Sequence, residues 1–184
     1  MGDTLRLDIG SGHAVREGYV RVDGDTLTNP DILCDVRKIP LEDSCADEVF
    51  ASHILEHFAP TETFNVIMEW KRLLKPHGLI TIKVPDVGHA MKGFLNGTLG
   101  DCCLMKAVFG GDPLATSFMA HKNLFWASKL ERFLFITGFT DIKNETLEMS
   151  SELTFTGVKP NVESRVAPRH GRQLVRETSC NGVG

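Results

Sequence analysis

The sequence predicts an α/β domain built on a largely parallel sheet. Three observations carry that expectation. Short β-branched runs recur between Gly, Pro, Asn and Asp; one strand–helix–strand unit has the spacing of a parallel crossover; and the first strand runs directly into a glycine-rich turn.

The elements follow in order. Leu5 to Ile9 reads as the first strand, and Gly10-Ser11-Gly12 as the turn after it. Neither glycine carries a Cβ, so a ligand can approach the main chain closely. Tyr19 to Asp23 alternates as a second strand, and Asp23 at its end can accept hydrogen bonds from two ribose hydroxyls. In the common dinucleotide fingerprint that acid lies about twenty residues on, because a helix intervenes. Here Asp23 follows Gly12 by eleven residues, which leaves little room for a helix. The segment therefore predicts a nucleoside cofactor and an abbreviated crossover.

Ile32 to Val36, Glu48 to Ser52 and Leu79 to Val84 read as the third, fourth and fifth strands, the last stopped by Pro85. Between the fourth and fifth, a helix starts at Pro60-Thr61-Glu62-Thr63, with Thr61 as its cap. Its stripe is Phe64, Ile67, Met68, Lys71, Leu73 and Leu74, and Lys75-Pro76-His77-Gly78 ends it. Residues 86–120 are rich in glycine and predict an irregular, mobile lid insertion holding one or two short helices. A helix over 127–136 ends at Gly138, and a hairpin follows from Phe139 to Leu147 and Glu152 to Val158. The domain thus spans 1–158, and the polar stretch 159–184 is expected to be a disordered or loosely held tail.

With 184 residues, one domain is the simplest expectation. A net charge of -4 gives no electrostatic case for nucleic acid. No apolar run is long enough to span a bilayer, and a strand starts almost at once after Met1, so neither a membrane span nor a signal peptide is expected. The five cysteines are odd in number and show no C-x-x-C spacing, which predicts reduced thiols and a cytoplasmic protein.

Five blocks now coincide with a known family. They are Leu7-Asp8-Ile9-Gly10-Ser11-Gly12, Gly18 to Asp23, Asp31 to Pro40, Ala46 to Phe58, and Glu69 to Gly78. In that order and spacing the chain resembles the class I S-adenosylmethionine-dependent methyltransferases, in particular the small type 11 group. The resemblance implies a Rossmann-like, seven-stranded, mostly parallel sheet with an antiparallel last strand. The short gaps imply abbreviated helices after the first two strands. It also implies S-adenosylmethionine as cofactor. Asp8, Gly10, Ser11 and Gly12 would line its methionine end, and Asp23 would bind the ribose. Asp35 and the backbone of Val36 would contact the adenine, with Ser52 and His53 beside the cofactor.

Methyl transfer asks a protein mainly to align the reacting atoms and exclude water. A hydroxyl acceptor would also benefit from a general base. The candidates are His53, Glu56, His57 and His121. His53, Glu56 and His57 fall at i, i+3 and i+4 and spell H-x-x-E-H, a zinc-protease pattern. Three readings stay open. His53 lines the pocket while the other two pack the turn; one of them is a catalytic base; or the three bind zinc in a hydrolase. The sequence shows no third metal ligand, so no metal is expected. His121 follows the lid and either faces the acceptor or starts a helix in solvent. In place of the Asn/Asp-Pro-Pro-aromatic signature of many amino-methylating enzymes stands Ser52-His53-Ile54-Leu55. By fold-level analogy this favours an oxygen of a small molecule or sugar (glycan) as acceptor. A non-catalytic cofactor-binding module of the same fold is the rival. Acceptor identity and oligomeric state are not written in the sequence.

Overall fold

The computed structural model describes residues 4–111 and 120–161. The expected tail beyond 161, Cys180 and part of the lid (112–119) lie outside the described residues.

Seven strands form one sheet. They are β1 (Arg6–Ile9), β2 (Val20–Asp23), β3 (Ile32–Leu33), β4 (Ala46–Ser52), β5 (Leu74–Pro85), β6 (Thr140–Asn144) and β7 (Glu152–Val158). Their spatial order is β3-β2-β1-β4-β5-β7-β6. The pairs from β3 through β5 are parallel; β7 runs antiparallel to both β5 and β6. The order reverses at β1, where the chain returns to add β4 on the other side. Ligands of open α/β sheets bind at such a switch point, outside the carboxyl ends of the strands.

Among the described residues the α-helices are α1 (Pro60–Leu73), α2 (Val87–Leu95), α3 (Asp101–Phe109) and α4 (Ala127–Ile136). Among the crossovers that join parallel neighbours, β4 to β5 alone carries an α-helix. Residues 10–19 join β1 to β2 without one, and β2 reaches β3 through a single 3₁₀ turn, Thr26–Thr28. Side chains substitute for the missing helix. The Arg21 guanidinium donates to the carbonyls of Gly12 (2.8 Å), Thr28 (2.5 Å) and Asn29 (3.1 Å). It stitches the two helix-free loops together, while the Tyr19 hydroxyl anchors the first loop to Glu48 of β4 at 2.5 Å. Burial, and then that bond, push the Tyr19 phenol up to about 12.

Leu7, Ile9, Val49, Ala51, Ile80 and Ile82 of the central strands are fully buried against Val66, Ile67, Trp70 and Leu73 of α1. Each such aliphatic side chain contributes about 1.5–3 kcal/mol on burial. The inward stripe of α1 differs from the expected one. It is Thr63, Val66, Ile67, Trp70 and Leu73, with Phe64 and Met68 left partly exposed. Trp70 sets this rotation, because its buried indole N–H must reach an acceptor and finds the Val36 carbonyl at 3.0 Å. Nor does Thr61 cap the helix. Pro60 takes the first helical position, where its missing N–H costs nothing, so Ala59 becomes the cap; its N–H donates to Glu62 at 3.0 Å.

Among its described residues the insertion has the two short helices expected of it. It holds α2 and α3, and Asp86 caps α2 by accepting from the His89 N–H at 3.0 Å. β3 is shorter than expected because the chain turns at Asp35, whose carbonyl accepts from the Lys38 N–H at 2.9 Å. Among the described residues, no helix is long and apolar enough to cross a membrane.

Candidate functional site

A cavity of about 530 Å³ opens at the carboxyl ends of β1 and β4. Asp8, Gly10, Ser11, Phe50, Ser52 and His53 line it, together with residues 14–17 of the β1–β2 loop. Its size is that of small-molecule and cofactor sites. Gly10 has φ +68°, and a Cβ there would lie 2.6 Å from Ile54 Cγ1. Glycine is required at this position on both counts. Gly12 has φ +53° and open space where a Cβ would project. Ser11 Oγ is buried without a partner among the described residues. A polar atom stranded on a cavity wall fits a ligand that would satisfy it.

Asp8 is buried on the cavity floor, and burial pushes its carboxyl above the usual carboxylate range. Arg16 opposes that shift from 3.8 Å and stacks its guanidinium 3.7 Å from the centre of the Phe50 ring. Arg16 is a cavity residue that sequence reasoning passed over. Its only signal was a lone cation in a short loop.

The expected nucleoside contacts lie to one side. Asp23, Asp35 and Val36 do not line the cavity, and neither does Gly12, expected at the methionine end. Asp23 is nonetheless tied to the glycine turn: its carboxylate accepts from the Gly12 N–H at 2.7 Å and from the Asp25 N–H at 2.9 Å. Asp35 is half-exposed and binds the Arg37 guanidinium, with a shortest contact of 2.7 Å, which holds its carboxyl below the ordinary range. The Val36 carbonyl is taken by Trp70.

His53 stands at the end of β4 with φ +55°, an unusual conformation for a residue with a side chain. Its Nδ1 lies 3.2 Å from Glu56 Oε1 and its Nε2 lies 2.9 Å from Glu152 Oε1 of β7. Carboxylates on both sides require both nitrogens to donate. The Glu56 bond, above all, and then Glu152 raise the His53 imidazole to about 9 against the opposing effect of burial. At neutral pH it is an imidazolium and does not take a proton. The reading of His53 as a general base gives way to one of a charged, clamped side chain; Glu152, far off in sequence, could not have been paired with it beforehand.

His57 and His121 meet instead. Their ring centres are 5.2 Å apart and roughly perpendicular. His57 Nδ1 faces the Ala120 carbonyl at 3.2 Å, and His121 Nδ1 faces the Ala107 carbonyl at 3.1 Å. His121 is only 9 % exposed at its side chain, so it is no solvent-facing helix start. Glu56 is buried between His53 and His121. The H-x-x-E-H pattern therefore does not gather as three ligands: His53 turns to carboxylates, and His121 joins Glu56 and His57.

Residues 7–82 match the family model of a methyltransferase domain. No curated protein matches the chain. Among solved structures, the chain is similar to phosphoethanolamine N-methyltransferase 2 of Haemonchus contortus in complex with S-adenosylmethionine. That pair shares 19 % identity over 88 % of this chain and 50 % of the other, with a TM-score of 0.61. This chain thus spans about half the length of that relative. A S-adenosylmethionine-dependent methyltransferase from Methanosarcina mazei is 19 % identical over 87 % of this chain and 94 % of the other, with a TM-score of 0.62. One from Archaeoglobus fulgidus is 16 % identical over 86 % and 87 %, with a TM-score of 0.58. At these identities the likeness is one of fold. It agrees with the sheet order and with the methyltransferase-domain match over residues 7–82: the chain has the class I methyltransferase fold.

Proposed function

We propose that this chain transfers a methyl group from S-adenosylmethionine to an oxygen of a small-molecule or sugar acceptor. The cavity at the switch point carries the reading: a positive-φ glycine turn, a partnerless buried Ser11 hydroxyl and a cation line one space of cofactor size. Bound there, S-adenosylmethionine supplies an electrophilic methyl on a sulfonium, and the protein's share is alignment and exclusion of water.

Arg16 faces the carboxylate of the methionine end, and the Ser11 hydroxyl satisfies itself on a polar atom of the same end. Asp23 accepts from the ribose hydroxyls while its backbone bonds hold the turn in place. Asp35 accepts from the adenine amino group beside Arg37. The Val36 carbonyl is engaged by Trp70, so the Val36 N–H makes the second adenine contact. His53 positions Glu56 and carries positive charge beside the cavity. A proton leaving the acceptor is assigned to the His57 and His121 side of Glu56, where each Nδ1 is bound to a carbonyl. The helix-free crossovers favour one second reading, a module that holds the cofactor without turnover.

Calorimetry with S-adenosylhomocysteine tests the proposal. Micromolar binding is expected, weakened by about 10–100-fold in Asp23→Ala, the equivalent of losing charge-assisted hydrogen bonds. No binding to the folded wild-type chain overturns it. Binding without methyl transfer to any of a panel of hydroxyl acceptors favours the second reading.

A further inference from the structure

We propose that Glu56, His57 and His121 form a binding site for one divalent transition-metal ion, directly behind His53. The three donor atoms already lie within 4.8 Å of one another. Bonds of about 2.1 Å in tetrahedral geometry place donors roughly 3.4 Å apart, so a metal needs only a modest inward movement of each side chain. The site is built for this on three counts.

Glu56 is the first. Its side chain is 1 % exposed, and its Oε2 is buried with no partner among the described residues. A carboxylate oxygen left bare in the interior is costly unless a cation joins it. His53 holds the other oxygen, Oε1, which lies 4.0 Å from His121 Nε2.

The two imidazoles are the second. A carbonyl only accepts, so the contacts of His57 Nδ1 with Ala120 and of His121 Nδ1 with Ala107 place the ring hydrogen on Nδ1. In the neutral ring Nε2 then keeps its lone pair. Fixing a ligand's tautomer through a carbonyl on its far nitrogen is what outer-shell partners do at metal centres.

The third is rigidity of the frame. The Glu56 carbonyl accepts from the N–H groups of Lys122 (2.8 Å) and Asn123 (3.1 Å), which pins the segment carrying His121 against the turn carrying Glu56 and His57. His121 also bonds through its own N–H to the Phe109 carbonyl at the end of α3, at 3.1 Å.

Two imidazoles with one carboxylate suit zinc and its first-row neighbours rather than magnesium or calcium, which take oxygen ligands. Three protein ligands leave a position for water or for an oxygen of the acceptor; with the ion bound, the acceptor's proton is easier to lose and passes to solvent water in place of His57 or His121. The assignment of that position to the acceptor rests on the proposed methyl transfer; the metal site does not.

The test uses the full chain without an affinity tag, stripped with a chelator and titrated with Co²⁺. The expected result is one equivalent bound, a visible d–d spectrum, and displacement by one equivalent of Zn²⁺. Loss of an outer-shell partner alone weakens metal binding 10–100-fold, so His57→Ala and His121→Ala are each expected to weaken it by about 100-fold or more. Circular dichroism checks that both variants fold, and the wild-type titration decides the question if they do not. No saturable Co²⁺ spectrum in the wild type overturns the site, as does unchanged affinity in folded His121→Ala. Calorimetry with S-adenosylhomocysteine on the same samples separates the two readings. Cofactor-product binding without metal overturns the metal site alone, and metal binding without cofactor-product overturns the methyl-transfer reading alone.

Discussion

Gly10 and His53 both hold left-handed backbone at strand ends, but for different reasons. At Gly10 the conformation and the 2.6 Å approach of Ile54 exclude a side chain. Gly10→Ala is expected to cost about 2–4 kcal/mol, from backbone strain and overpacking together, measured by urea unfolding. It is also expected to weaken S-adenosylhomocysteine binding, because the turn that presents Ser11 and Gly12 is displaced. At His53 the strain is held in place by bonds to Glu56 and Glu152. Strained residues of this kind concentrate at functional sites. The sequence could mark His53 as a pocket residue. It could not show that two carboxylates charge the ring, since one of them arrives on β7.

At the scale of elements, the departures from a full α/β architecture are concentrated on one side. The β1–β2 and β2–β3 crossovers lack α-helices, and Arg21 does their bracing. Arg21→Met keeps the length of the side chain but loses three bonds to carbonyls. A loss of about 1.5–3 kcal/mol of stability is expected, read from thermal unfolding, along with weaker S-adenosylhomocysteine binding by calorimetry. The short gap between Gly12 and Asp23 made the missing helix legible in advance. The rotation of α1 was not, because two overlapping apolar stripes run along that helix. The indole bond from Trp70 to Val36 decides between them.

On the scale of the whole molecule, one ion-pair hub ties α1 to the β3–β4 crossover. Glu69 accepts from the Ile39 N–H at 2.8 Å and from Arg72, whose guanidinium also donates to the carbonyls of Leu41 and Ile39. Arg72 holds the Glu69 carboxyl below its ordinary range. A carboxyl with a depressed folded-state pKa adds stability above its unfolded pKa and loses it as pH falls through the folded value. Glu69→Gln is therefore expected to be less stable than the wild type at pH 7 by about 1–3 kcal/mol. The gap should close as pH drops below about 4.5. Urea denaturation at a series of pH values checks both limits; a gap independent of pH contradicts the ion-pair account.

The sequence by itself determined the individual strands, the glycine turn and the acid at the end of β2, since each rests on local periodicity or on one residue's backbone freedom; the seven-stranded arrangement came with the family resemblance. Only the tertiary structure decided which histidines meet. His57 and the Ala120 carbonyl that orients it are separated by 63 residues. Their meeting depends on the path of the chain through α1, β5, α2 and α3. No spacing rule spans that distance, so the local pattern pointed to His53 with Glu56 and His57, while packing of the insertion against the end of β4 put His121 in that place.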